Sequence, residues 1–154
     1  LHFIGRLQTN KVKYLVGKVG CIQSVDSVKL AGEVSRQSMA QGQKTPVLVQ
    51  VNIGREEQKG GVDPDRLYEF LDEIRTFRGI SINGLMAVPP IFDNERELSA
   101  CFSRMFKYYV DIEGKKIDNI SMRCLSMGMS ADFPLAIRCG ATMVRVGSSL
   151  FGAR

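Results

Sequence analysis

Short, mostly apolar runs return along this 154-residue chain about every 25 residues, and between them the apolar positions switch to helical spacing. That alternation is the tightest constraint the sequence places on the fold. Parallel strands need a crossover, for which a helix is the usual solution, and each apolar run here is followed by a helical pattern. The clearest strand is Pro46 to Asn52, β-branched and largely apolar, as a strand covered on both faces should be. A loop from Ile53 to Val62 follows. Asp63 then offers an N-cap with Pro64 at the first helical position, and Leu67, Phe70, Leu71 and Ile74 fall at i, i+3, i+4 and i+7.

The other units repeat this pattern. His2 to Gly5 is a short apolar stretch followed by a helix expected from Asn10 to Val19. Cys21 to Val25 reads as a strand, and Asp26 or Ser27 can cap a helix with Val28, Ala31 and Val34 on one face, ended by Gly42. Ile80 to Met86 is the fourth strand, with Leu98, Cys101, Phe102, Met105 and Tyr109 marking the helix after it. Ile120 to Leu125, a short helix from Leu135 to Cys139 stopped by Gly140, and a strand from Thr142 to Val146 complete the series. An open doubly wound sheet suits this length, whereas a complete (β/α)8 TIM barrel needs about 250 residues. However, neither GxGxxG nor GxxxxGK[ST] follows the opening strand. Polar and glycine residues gather instead at strand carboxyl ends, as on a barrel rim. The expectation is an α/β chain of TIM-barrel type with parallel strands, an incomplete barrel of six βα units, forming one domain over residues 1–154.

Composition narrows the function classes. The chain is 44% hydrophobic and 24% charged, enough for one core, and no apolar run approaches the roughly 20 residues of a membrane span. The opening residues lack the layout of a secretion signal, so a cytoplasmic setting without membrane contact is expected. Cys21, Cys101, Cys124 and Cys139 lie far apart without a CxxC pair, and His2 is the single histidine, so buried thiols are expected rather than zinc ligands or disulfides. The net charge of +5 comes from scattered basic residues, which favours small anionic ligands over nucleic acid.

The segment Leu125 to Phe133, LSMGMSADF, places small hydroxyl residues and glycine where a strand gives way to a helix. A phosphate at such a junction needs amide N–H groups, glycine so that the main chain can approach, hydroxyl donors and the positive end of a helix. Ser126, Gly128 and Ser130, with Met129 between them, supply those parts, and Gly147, Ser148 and Ser149 supply them again one unit later. The bland alternative is that Ser130 and Asp132 cap a helix and Gly147 makes a turn. Arg145 interrupts the apolar strand around it, and a buried guanidinium must be paired or ligated. Its partner is either a carboxylate from another strand, such as Asp26, or the ligand of the adjoining Gly147 loop.

Five segments, HFIGRLQTNK at 2–11, VQVNIGREEQKGG at 49–61, GLMAVPP at 84–90, LSMGMSADF at 125–133 and MVRVGSSLFGAR at 143–154, together resemble the pyridoxal phosphate homeostasis protein family. The resemblance implies a barrel similar to the amino-terminal domain of bacterial alanine racemase. It also implies that pyridoxal 5′-phosphate (PLP) is bound on a lysine as a Schiff base, in a mostly monomeric protein without established turnover that buffers the cofactor and delivers it to PLP-dependent apo-enzymes. By that likeness Ser130, Gly147 and Ser148 are phosphate contacts and Arg145 meets the pyridine nitrogen. Met86 and Asn52 line the pocket, and His2 lies close to it.

The chain departs from the family pattern in one respect. The family's lysine stands at the end of a first strand, in a Val-Ser-Lys context, and no lysine here matches; the expectation is a fragment without the first two βα units and without the covalent anchor. Two other readings stay open. An alanine-racemase-like enzyme needs a tyrosine or lysine at a strand end, whereas Tyr14, Tyr68, Tyr108 and Tyr109 fall in helical patterns. A phosphosugar- or flavin-binding barrel enzyme needs a carboxylate or lysine base at the rim, for which Asp26 alone offers itself.

Overall fold

In the computed structural model, which describes all residues except Glu57, Asp93, Ala153 and Arg154, the apolar runs form six strands: β1 His2–Phe3, β2 Cys21–Val25, β3 Thr45–Gln50, β4 Ile80–Met86, β5 Ile120–Met129 and β6 Met143–Arg145. Every pairing is parallel, and the order across the sheet is the order along the chain. The connections carry α1 Val28–Ala40, α2 Leu67–Ile74, α3 Glu95–Gly114 and α4 Phe133–Arg138, and α5 Ser148–Phe151 follows β6.

A sheet wound in one direction curls, and one contact shows by how much. Four inter-strand spacings would separate β2 from β6 by about 19 Å if the sheet were flat. Gln23 Nε2 on β2 nevertheless lies 3.1 Å from Met143 Sδ on β6. The structure is thus an incomplete TIM-barrel-like α/β fold whose interior polar groups meet across the concave face, with β1 and β6 as its edges.

Period-2 strands divide the apolar residues into two layers. The outer layer packs Ile22, Val47, Val49, Ile80, Ile82, Leu85 and Leu125 against the helices, which contribute Leu30, Val34, Leu67, Leu71, Ile74, Phe102 and Met105. The inner layer is small: Cys21, Leu48 and Met86, with Val88 and Cys124 packed against them. Burying the outer layer supplies most of the stability, at about 25 cal/mol per Å². Ser27 rather than Asp26 caps α1, accepting from Leu30 N–H at 3.4 Å, and Asn94 caps α3 by accepting from Glu97 N–H at 2.9 Å. The four cysteines carry free thiols. Among the described residues no helix is long and apolar enough to cross a membrane.

Two boundaries differ from the sequence expectation in ways that matter. The helix expected from Asn10 to Val19 is a 3₁₀ segment, Thr9–Tyr14, which gives way to turns that end near Gly17 at φ 81°. Its stretch is rich in β-branched and aromatic side chains, which extend an α-helix poorly. β5 runs on to Met129 instead of stopping at Leu125, because Ser126 stays in register between Met86 of β4 and Met143 of β6. Ser126 to Met129 therefore belong to the sheet rather than to a loop, with an irregularity in the β5–β6 pairing before Met129.

Candidate functional site

Arg145 ends β6 with its guanidinium on the concave face. Nη1 donates to Ser126 Oγ at 2.7 Å and Nη2 to the Ala87 carbonyl at 2.8 Å. Among the described residues no carboxylate forms an ion pair with it, so the pairing with Asp26 does not occur. Burial pushes its pKa down from the ordinary arginine value, opposed by the charge of Asp132 and by the Cys124 thiol; an arginine remains charged under such pressure. Holding even a half-buried cation with neutral acceptors alone carries a cost, and an anionic or electron-rich ligand beside it would offset that cost.

Ser126 is fully buried, and its hydroxyl donates to Gln23 Oε1 at 2.7 Å. This corrects its assignment as a loop hydroxyl for a phosphate: its oxygen holds Arg145 and its proton is committed to Gln23. Gly128 is corrected as well. With φ at 92°, a Cβ there would lie 2.6 Å from Ala136 Cβ and 3.1 Å from Phe133 Cα, so the residue is glycine to let α4 pack against β5.

Ser130 and Gly147 do come together. Ser130 Oγ accepts from Gly147 N–H at 3.0 Å and Ser149 N–H at 3.3 Å, joining the two strand-to-helix junctions that looked alike in the sequence. A hydroxyl that accepts twice still has its proton to give, so Ser130 can donate to an anion at the exposed rim. Ser148 begins α5 directly after Gly147, where N–H groups have no partner within the helix. Met129 N–H is taken by Asp132 Oδ1 at 2.5 Å, so Asp132 braces this junction without capping α4.

Met86 is buried between Cys21 and Leu48 and forms the floor of the concave face. Asn52 is engaged in the loop after β3. Its Nδ2 donates to the Glu56 carbonyl at 2.8 Å and its Oδ1 accepts from Glu56 N–H at 3.2 Å, so both ends of the amide close the loop after β3. His2, on the edge strand, is exposed and places Nδ1 2.9 Å from Gln23 Nε2. Gln23 itself, and the Ala87 carbonyl, went unread. The signal for Gln23 was the one that drew attention to Arg145, a polar side chain inside an apolar strand.

The guanidinium offers donors to an electron-rich group on the concave face, and the Ser130–Gly147 junction offers a donor to an anion. The family model described as alanine racemase, N-terminal domain, matches residues 2–154. The chain belongs to that family. Within the alanine racemase N-terminal domain family it is similar to the pyridoxal phosphate homeostasis protein of Aquifex aeolicus, 42% identical over 153 residues covering 99% of this chain and 66% of that protein. It is also similar to the protein of the same name from Haemophilus influenzae, 36% identical and covering 99% and 64%. It thus spans somewhat less than two thirds of these relatives' length.

Among solved structures, PipY of Synechococcus elongatus with PLP bound superposes with a TM-score of 0.87 at 33% identity, covering 98% of this chain and 69% of that one. An alanine racemase from Clostridium difficile superposes with a TM-score of 0.73 at 18% identity, covering 97% and 40%, a likeness of fold alone.

Proposed function

We propose that residues 1–154 form a PLP-binding barrel domain that serves cofactor homeostasis, holding PLP and releasing it to apo-enzymes without turnover of its own. The observation that carries this reading is Arg145, a half-buried guanidinium fixed by Ser126 and Ala87 and facing the concave interior with no carboxylate ion-paired to it among the described residues. Homology to proteins named for pyridoxal phosphate homeostasis, and to PipY, whose structure has PLP bound, supports it.

PLP, when bound, supplies an aldehyde reactive towards amines and a pyridine ring able to take up electron density. The residues of this chain would do the rest. Arg145, a permanent cation, would donate to the ring nitrogen and keep a proton off that atom, which weakens the ring as an electron sink. Ser130 would donate its hydroxyl proton to the phosphate, with Gly147 and Ser148 at the same junction, and Met86 would form the apolar floor. Turnover of the racemase kind draws no support from the tyrosines. Tyr68 and Tyr108 pack edge to face on the helical layer, and Tyr109 donates to the Met122 carbonyl. The same reading has the protein act in the cytoplasm as a monomer.

PLP titration of the natural gene product that carries this chain, followed by its visible absorbance, is the test. Saturable binding with a band altered by Arg145→Glu is expected. An identical band in that variant would remove Arg145 from the ring, and measurable racemisation of alanine would replace the carrier reading with the enzymatic one.

A further inference from the structure

We propose that Gln23 is a positioning residue for Arg145 and that, through Ser126, it sets the guanidinium according to whether the His2 ring carries one proton or two. The functional consequence rests on the reading of Arg145 just given; the hydrogen-bond chain does not.

The direction of the chain follows from giving every proton an acceptor. A guanidinium only donates, so Ser126 Oγ accepts from Nη1 at 2.7 Å. The single Ser126 proton then goes to Gln23 Oε1 at 2.7 Å. The Gln23 amide is thereby oriented with its NH2 group towards Met143 Sδ at 3.1 Å and His2 Nδ1 at 2.9 Å. Both must accept. Neutral His2 consequently has Nδ1 bare and its proton on Nε2. The two middle members are sealed, Gln23 at 1% and Ser126 at 0% exposure, so water cannot take over a lost contact. These bonds cross the concave face from the edge strand β1 through β2 and β5 to β6.

A second proton on His2 reverses the chain. Nδ1 becomes a donor facing the donor Nε2 of Gln23, and the amide must turn over to present Oε1. Its NH2 then faces Ser126 Oγ, which accepts from both Gln23 and Arg145 and loses the acceptor for its own proton. Arg145 thereby shares an oxygen it had previously held alone. Among the described residues, the other titratable and charged groups facing this chain are the Cys21 thiol opposite His2 in register, and Cys124 and Asp132 near Arg145. Burial raises both thiols, Cys21 to about 12, so neither titrates in the range where histidine does.

Nitrogen NMR on the ¹⁵N-labelled natural gene product, without cofactor, tests this by following the Arg145 Nε–H signal and the His2 ring nitrogens from about pH 5 to about pH 8. The expected result is a bare Nδ1 at the upper end and an Arg145 shift with the same midpoint as His2. Gln23→Met, similar in length but unable to relay, should leave His2 titrating and abolish the Arg145 shift. His2→Gln, which keeps an acceptor for Gln23 Nε2, should abolish it with the interior intact and decides the matter if Gln23→Met does not fold. A stationary Arg145 signal in the wild type, or a shift that survives His2→Gln, overturns the proposal. With PLP added, a visible band that follows the same midpoint joins the chain to the cofactor. A band indifferent to pH while Arg145 still shifts would retain the chain and refute the placement of Arg145 at the ring.

Discussion

Arg145 Nη1 and Ser126 Oγ stand 2.7 Å apart on neighbouring strands, and that contact ties a cation near the rim to the interior of the half-barrel. It explains how a guanidinium is tolerated at the end of a strand whose neighbours are apolar, because each of its two terminal nitrogens has a fixed acceptor, one on β5 and one just past the end of β4.

Ser126→Ala should therefore act at two places. It leaves the buried Gln23 carbonyl unpaired, at about 1–3 kcal/mol, and frees an N–H of the half-buried Arg145, which solvent can partly satisfy. Urea unfolding should show a loss of about 1–3 kcal/mol, and the band of bound PLP should move. An unchanged midpoint would mean that these hydrogen bonds add nothing to stability.

Ser130→Ala, at the exposed junction, should separate binding from stability. The Gly147 and Ser149 amides can turn to solvent, so unfolding should change by less than about 1 kcal/mol. PLP affinity should fall about tenfold with the loss of one hydrogen bond to a charged group. Equal affinity by titration would place the phosphate elsewhere.

Gly84→Ala tests the sheet rather than the ligand. Gly84 has φ 149°, and a Cβ there would overlap the Cys124 carbonyl oxygen of β5. Backbone cannot yield as a side-chain tip can, and a cost of about 3 kcal/mol or more is expected from chemical denaturation. A cost below about 1 kcal/mol would mean that β4 and β5 can move apart.

Cys21 gives the alkaline limit. Burial, reinforced by the nearby Cys124, raises its thiol from 9.0 to about 12. A pKa raised in the folded state contributes stability that is fully present below the unfolded value near 9 and lost as pH climbs towards 12. Urea midpoints of wild type should fall more steeply than those of Cys21→Ala between about pH 9 and about pH 11. Parallel curves would show that Cys21 ionises while still folded.

Much of this was written in local pattern. The spacing of Leu67, Phe70, Leu71 and Ile74 gave α2, and the bounds of β4 were read to the residue, because burial on a period of 3.6 or 2 is a local property. Family membership was legible too, since its motifs are contiguous. The site was legible only in part. Ser130 and Gly147 meet, as their repeated junctions suggested. Ser126, Gly128 and Asn52 carried the right chemistry for a ligand yet are engaged by Arg145, α4 and the loop after β3.

By itself the sequence determined strand, helix and parallel order, because each follows from side chains a few residues apart. The tertiary structure alone decided what Arg145 touches and that Gln23 stands between it and His2. Residues 2, 23, 126 and 145 become neighbours only when the sheet curls. The curl comes from backbone twist accumulated over six strands, which no single stretch of the chain encodes.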